Sequence, residues 1–481
     1  VREGAGEGGA GMTSYADFVA RKSLRAERSG FDVADGDINP KLFDWQRHVV
    51  RWALKQGRAA LFEECGLGKT FQQVEWARLV AERTGQQVLI LAPLAVAHQT
   101  VEEAAKLGID ARYCRTQEQA DRAGQVIVTN YDMLKAFDTD AFGGVVLDES
   151  SILKSFAGST RNQLIAAFER TPYRLACTAT PAPNDHMELG NHAEFLGVMK
   201  RSEMLAMYFK HDGGDTAVWR LKRHGERDFW RWVTSWAVCA STPGDLGYSD
   251  DGFILPPLHL HEHVVKTDHS RAIAQGQLFV DGTVSATAMW KERAHTNQTR
   301  CDRAVELVSE LPDDYWIIWC DTNDEADILA AALPDAVEVR GSDSVIEKER
   351  KLSAFSDQAV RTIITKPDIA GFGLNWQHAA NMAFVGVTYS FERTYQALRR
   401  SWRFGQTRDV NAHLIYAESE GNIRRVLQDK QVSHREMQQR MNEAMREAGI
   451  TMTRAAKSRA YKAPAVTLPA WLKQEDYRVA A

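Results

Sequence analysis

The stretch ALFEECGLGKTFQQVEWA, residues 60–77, sets the reading of everything around it. Its apolar start reads as a buried strand, its Gly-containing middle as a tight loop, and its end as a helix opening on Lys69-Thr70. Glycines let the backbone turn its N–H groups inward, and a helix N-terminus adds partial positive charge, so a strand–loop–helix of this kind can cradle phosphate. Gly66, Leu67, Gly68, Lys69 and Thr70 are therefore candidates for binding a nucleotide. Lys69 is placed to reach the outer phosphates and Thr70 to bind Mg²⁺. The loop departs from the usual spacing, because Glu63 stands where the common pattern has its first Gly.

Outward from this loop, residues 59–196 alternate short apolar runs with amphipathic stretches. AALF at 59, QVLILA at 87, QVIVT at 125, VVLD at 145 and YRLACT at 173 read as strands with helices between them. That alternation predicts a parallel sheet covered on both faces. The rhythm returns after 312, with YWIIWC at 315, AVEV at 336, RTIIT at 361, MAFVGV at 382 and NAHLIY at 411. The expected fold is α/β, in two tandem units of similar size. The expected boundaries are an N-terminal extension at 1–30, partly disordered, a first lobe at 31–198, a Trp-rich insertion at 199–265, a second lobe at 266–424, and a C-terminal helix with a basic tail at 425–481. Within the insertion, Trp219, Trp230, Trp232 and Trp236 interleave with charges. They fit a small helical core better than an aromatic nucleic-acid surface. Met437, Met441 and Met445 fall at four-residue spacing on the last helix, a stripe expected to pack on the second lobe.

A second motif matches the first. GGVVLDESS, residues 143–151, is an apolar strand ending in Asp148-Glu149. A carboxylate at a strand end beside a phosphate loop can hold Mg²⁺, partly through water, and an adjacent Glu can orient and deprotonate an attacking water. In open α/β sheets that end of the strands is where ligands bind.

Composition limits the alternatives. The 481 residues exceed what one core usually serves, and 44% hydrophobic with 26% charged is ordinary for a globular chain. No apolar run approaches the roughly 18 residues that span a bilayer, so no membrane association is expected. The formal net charge of −5 means that any grip on nucleic acid must come from local basic patches. Arg393 to Arg408 and Arg454 to Lys462 are basic runs without an acid. Six Cys lie scattered without a CxxC pair, which argues against a zinc ribbon and suggests reduced thiols in a cytoplasm.

With these motifs in place, the chain resembles the superfamily-two helicases, and within them the Swi/Snf-type branch. GLGKT, LDESS and CTATPAPN resemble motifs I, II and III, and the acidic Glu63 matches the DEMGLGKT form of that branch. LFDWQRHVVRWAL at 42–54, LAPLAVAHQ at 91–99 and VTNYDML at 128–134 resemble its adenine-reading and strand-contacting segments. ILPPL at 254 resembles the start of the second lobe, and IITKPDIAGFGLNWQHA resembles motif V. SFERTYQALRRSWRFGQ at 390–406 resembles motif VI. LDESSILKS and RRSWRFGQ are similar to compact phage- and prophage-borne DEAD/DEAH-like helicases. Ser150 and Ser151 replace the Ala and His of the usual DEAH, and Arg399 departs from the pattern before the first motif VI arginine.

The resemblance implies two tandem RecA-like lobes forming an ATP hydrolase that moves along DNA, with ATP and Mg²⁺ as cofactors. It implies Gln46 and Gln396 at the nucleotide, and Lys69, Asp148, Glu149, Arg400 and Arg403 in catalysis. It implies Thr178 and Thr180 as the relay between lobes, and His98, Thr129, Lys154 and Asn375 as nucleic-acid contacts. The expected partner is duplex DNA bound without sequence preference, by a monomer in the cytoplasm of a bacterial cell or phage-infected host. An RNA helicase and a nucleic-acid-binding module without productive ATPase remain as alternatives. Protein partners are not legible, and the insertion is where they would be sought.

Overall fold

The computed structural model of the protein describes residues 26–154, 158–212, 215–266, 286–370, 374–386, 390–418 and 421–450. The stretch expected to be disordered at 1–11 and the basic run at 454–462 lie outside the described residues.

The first sheet is built from β1 (Arg58–Glu63), β2 (Val88–Ala92), β3 (Ala111–Tyr113), β4 (Val126–Asn130), β5 (Gly144–Asp148), β6 (Tyr173–Cys177) and β9 (Ala237–Ala240). Its order is β3-β4-β2-β5-β6-β1-β9, and every pairing is parallel. Between β6 and β9 a two-stranded antiparallel hairpin, β7 (Phe209–Asp212) and β8 (Asp215–Leu221), forms a sheet of its own. The second sheet contains β10 (Leu258–Val265), β11 (Trp316–Trp319), β12 (Val337–Glu338), β13 (Thr362–Thr365), β14 (Asn381–Phe384) and β15 (Val410–Ala417). Its order is β10-β15-β14-β11-β13-β12, again all parallel. The continuous apolar runs predicted this, because strands buried on both faces need no polar alternation. β2, β4, β11 and β13 are buried along their whole length. Two parallel sheets with helical elements make the α/β, two-lobed RecA-like architecture expected from the sequence.

The helices that position the site are α1 (Asp44–Gln56), α2 (Lys69–Thr84), α3 (Leu94–Leu107), α4 (Leu189–Leu196), α5 (Arg201–Tyr208) and α6 (Glu226–Thr234) around the first sheet. Around the second are α7 (Ala286–Glu310), α8 (Val345–Ser356) and α9 (Phe391–Leu398), followed by the long α10 (Gly421–Ala448). Among the described residues no helix is long and apolar enough to cross a membrane.

Two expectations need correction. The 199–265 stretch is not one insertion: β9 closes the edge of the first sheet beside β1, and β10 pairs with β15 in the second. Trp230, Trp232 and Trp236 accordingly lie in the core of the first sheet. The methionine stripe packs on that same sheet's side rather than on the second lobe. Met437, Met441 and Met445 are buried in the first core, and the backbone N–H of Cys239 on β9 points to Met445 Sδ at 3.3 Å. The reason is geometric. β9 and α6 leave an apolar flank that the last helix covers, and Arg227 and Arg231 of α6 bind Glu447 on that helix.

Candidate active site

The phosphate loop runs from β1 to α2. Gly66 has φ +93° and Gly68 has φ +72°, the left-handed conformations that a side chain resists. Space enforces them as well. A Cβ on Gly66 would lie 2.8 Å from the Phe404 backbone nitrogen, and one on Gly68 would lie 2.6 Å from Gln46 Nε2. Lys69 opens α2 and folds back on the loop, its Nζ donating to the carbonyls of Glu63 at 2.6 Å and Glu64 at 3.0 Å. Thr70 follows it, half-buried. Gln46 of α1 is buried and donates to the Leu67 carbonyl at 3.0 Å, while its Oε1 accepts from the Phe43 N–H. In this arrangement both ends of its carboxamide brace the loop.

Sheet register brings the acidic pair to the same edge. Asp148 pairs with Cys177, and Cys177 with Leu61, so the ends of β5, β6 and β1 are level. Gln73 of α2 donates to Asp148 Oδ1 at 2.8 Å. Glu149 takes the left-handed conformation at φ +59°, a strain that non-glycine residues bear chiefly where structure over-determines it. Thr178 Oγ1 donates to Glu149 Oε1 at 2.5 Å, and Ser151 Oγ to the same oxygen at 2.9 Å. Thr180 donates its backbone N–H to Thr178 Oγ1. Burial pushes both carboxyls above their ordinary range, opposed at Asp148 by Gln73 and Lys69 and at Glu149 by Thr178. His192 of α4 meets Ser150 Oγ at 3.1 Å and is held neutral, burial pulling it down to about 4. The two serines that replace Ala and His therefore wire the acidic motif to Glu149 and α4.

The second sheet supplies α9 and the turn after it. Arg400 is buried and donates to the carbonyls of Gln396 at 3.2 Å and Leu374 at 3.1 Å. Arg403 reaches the same Leu374 carbonyl at 3.3 Å. Burial pulls Arg400 down to about 10 and lowers Arg403. Both arginines are thus held toward their own lobe. Gln396 is buried with neither carboxamide atom paired, and Arg403 Nε is likewise unpaired among the described residues. Buried polar atoms without partners are costly, so these groups await an acceptor or donor.

Not every expected contact residue is accessible. Thr129, Thr178 and Thr180 are fully buried, so Thr129 presents nothing to a strand laid on this surface. Asn375 is exposed. His98 of α3 and Lys154 face across the lobe boundary instead: His98 Nε2 lies 3.4 Å from Glu349 of α8, and Lys154 pairs with Glu392 of α9.

One buried group that joins the lobes escaped the sequence reading. Glu64, in the phosphate loop, is buried and accepts from Arg399 Nη2 at 2.6 Å, from the Tyr395 hydroxyl, and from Gln438 Nε2 of α10 at 2.6 Å. His434 Nε2 lies 3.6 Å from it. Burial alone would raise this carboxyl, but Arg399 and His434 outweigh it and hold it well below the usual range. The one available signal was Arg399, the cation at an unusual place in motif VI.

Among the described residues no group of three or more His, Cys, Asp or Glu could hold a metal. Mg²⁺ fits this donor set differently, because it takes one or two protein oxygens and completes its shell with water and phosphate. Thr70 and Asp148 lie at the loop where such an ion would be held.

Comparison with known proteins follows the same outline. Residues 45–212 match the SNF2-related domain family. The mouse DNA annealing helicase and endonuclease ZRANB3 is 26% identical over 426 residues, covering 80% of this chain and 39% of that protein. The TATA-binding protein-associated factor mot1 of Schizosaccharomyces pombe is 26% identical over 117 residues, covering 23% of this chain and 6% of its own length. The chain thus spans less than half the length of either relative. Residues 45–212, which hold the phosphate loop and the acidic strand end, are thus similar to the SNF2-related domain family, and the similarity to the two relatives supports a Snf2-type helicase or ATPase of superfamily two.

Proposed function

We propose that the chain hydrolyses ATP between its two sheets and uses lobe closure and opening to move along duplex DNA, without sequence preference. The observation that carries this reading is the contact between the phosphate loop and motif VI: Gly66 lies against Arg403 and Phe404 from the other sheet. A phosphate loop alone supports nucleotide binding. A phosphate loop met by the arginine-bearing turn of the second lobe supports hydrolysis that depends on how the two lobes meet.

In this reading Gly66, Leu67 and Gly68 present backbone N–H groups to the phosphates. Lys69 would leave its loop carbonyls for the outer phosphates, and Thr70 and Asp148 would hold Mg²⁺, partly through water. Bound Mg²⁺ supplies charge neutralisation across those phosphates. Glu149, with Oε1 fixed by Thr178 and Ser151, orients the attacking water and takes its proton. Arg400 and Arg403 turn from the Leu374 carbonyl toward the developing charge, and Gln396 gains the partner it lacks. Thr178, bonded to Glu149 and followed by Thr180, relays the change. His98, Lys154 and Asn375 contact the DNA backbone, His98 and Lys154 only once their pairs with Glu349 and Glu392 open. The mouse relative is a DNA helicase by name, which supports DNA over RNA as the track. Translocation is the core of the reading, and strand separation is an additional property that a displacement assay would reveal.

The test is ATPase rate with no polymer, duplex DNA, single-stranded DNA or RNA, beside Lys69→Ala. Stimulation by duplex DNA, abolished in the variant, is expected. Stimulation by RNA alone would reject the DNA track, and activity no higher than that of Lys69→Ala under every condition would reject the enzyme.

A further inference from the structure

We propose that the β7–β8 hairpin is a second grip on the DNA phosphate backbone, outside the cleft between the sheets; this rests on the DNA-motor reading. A recess of about 320 Å³ lies at its base, lined by Lys210, Arg220, Leu221, Lys222, Arg223 and His224. No carboxylate lines it. In a chain with net charge −5, a recess with four cations and a histidine is a local reversal of sign. Such patches are where an acidic protein can meet a polyanion.

Four features separate this recess from an ordinary solvated surface. Lys210 and Arg220 are directly opposed in the strand register. Like charges in that position repel, so their juxtaposition is not what holds the two strands together. The neighbouring cations Arg227 and Arg231 are both ion-paired with Glu447 of α10, whereas Lys210 and Arg223 have no carboxylate partner among the described residues. The recess is also anchored rather than loose. Lys222 Nζ donates to the carbonyls of Ala206 and Met207 at the end of α5, both at 2.9 Å, and its N–H to Tyr208. Trp219 is half-buried against His211 on the opposite strand, an aromatic surface beside the cations. Cations on a fixed frame next to an aromatic ring suit a nucleic-acid backbone, and such contacts read phosphate without reading bases.

The experiment uses the full chain with a labelled duplex and measures affinity by fluorescence anisotropy across a salt series, for wild type and the double variant Lys210→Glu, Arg223→Glu. Glu at 210 would face Arg220 across the strands, so the variant is expected to fold at least as well, which thermal unfolding checks. The expected result is about tenfold weaker binding and a salt dependence of log K shallower by about two, one per lost phosphate contact, with DNA-free ATPase unchanged. An unchanged affinity and slope would overturn the proposal while leaving the DNA motor intact. Binding of poly-glutamate that the variant loses, with DNA affinity unchanged, would assign the recess to an acidic protein instead. Wild type that neither binds duplex nor is stimulated by it would remove the DNA reading itself, and the hairpin proposal with it.

Discussion

Glu63 occupies the place where phosphate loops usually begin with glycine, and the fold buries its side chain completely. Gln72 donates to Glu63 Oε2 at 2.7 Å, and Oε1 has no partner. Burial raises the carboxyl to about 7 despite Lys69 and Gln72. An acid whose folded value lies above its unfolded value near 4.5 binds an extra proton on folding. Its favourable contribution is therefore complete below about 4.5 and is lost as pH rises through about 7. Glu63→Gln keeps the bond from Gln72 and removes the charge. The variant is expected to gain stability over wild type between pH 5 and pH 8, by roughly 3 kcal/mol at most. Thermal melts of the nucleotide-free protein at the two pH values would check this, and a constant difference would show that Glu63 is already ionised at pH 5. At this scale the sequence was informative about identity and silent about environment. It placed Glu63 and Glu64 side by side, yet the first is a buried near-neutral acid and the second a buried ion. The difference is that Arg399 faces one and not the other.

Among elements, α10 shows how a legible pattern can point to the wrong partner. Four-residue spacing of Met437, Met441 and Met445 puts them on one helical face, and that much follows from 3.6 residues per turn. Which surface receives the face depends on β9 and α6, whose strand and helix were hidden in a stretch read as an insertion. The helix leaves the second sheet at β15 and lies across the first. Met441 is fully buried there. Met441→Ala is expected to cost about 2–5 kcal/mol in urea unfolding. A loss below about 1 kcal/mol, the range typical of surface positions, would mean that the helix does not dock on the first sheet in solution.

Across the whole molecule, the contacts between the sheets converge on the nucleotide loop. Glu64 meets Tyr395, Arg399 and Gln438, and Lys154 and His98 pair with Glu392 and Glu349 at the margins. A buried ion pair loses several kcal/mol when one partner is removed, because the other is left uncompensated. Glu64→Gln and Arg399→Met are each expected to destabilise the protein by about 3 kcal/mol. The double variant should fall short of their sum by roughly 2 kcal/mol, measured as a double-mutant cycle in urea. Additive losses would mean that the two groups do not act as a unit. Because Lys69 donates to the Glu64 carbonyl, the group proposed to bind phosphate is tied to the backbone of the residue that contacts the second lobe. Movement of Lys69 thereby has a short route to the lobe contact.

Read alone, the chain specified most strands of both sheets, the glycine-bearing loop after β1 and the acidic end of β5. Those features arise from residues a few positions apart, where apolar runs and glycine geometry act locally. The same patterns carried the α/β fold and both parallel sheets. Long-range packing chose the rest. Glu64 meets partners 331, 335 and 374 positions away, and no local propensity encodes such a meeting. Packing joined β9 to the first sheet and β10 to the second, because an unpaired sheet edge and an uncovered apolar flank are satisfied by whichever segment the topology brings there. It turned Lys154 and His98 toward carboxylates of the other lobe. It also left Lys210 opposite Arg220, a pairing that only strand register creates.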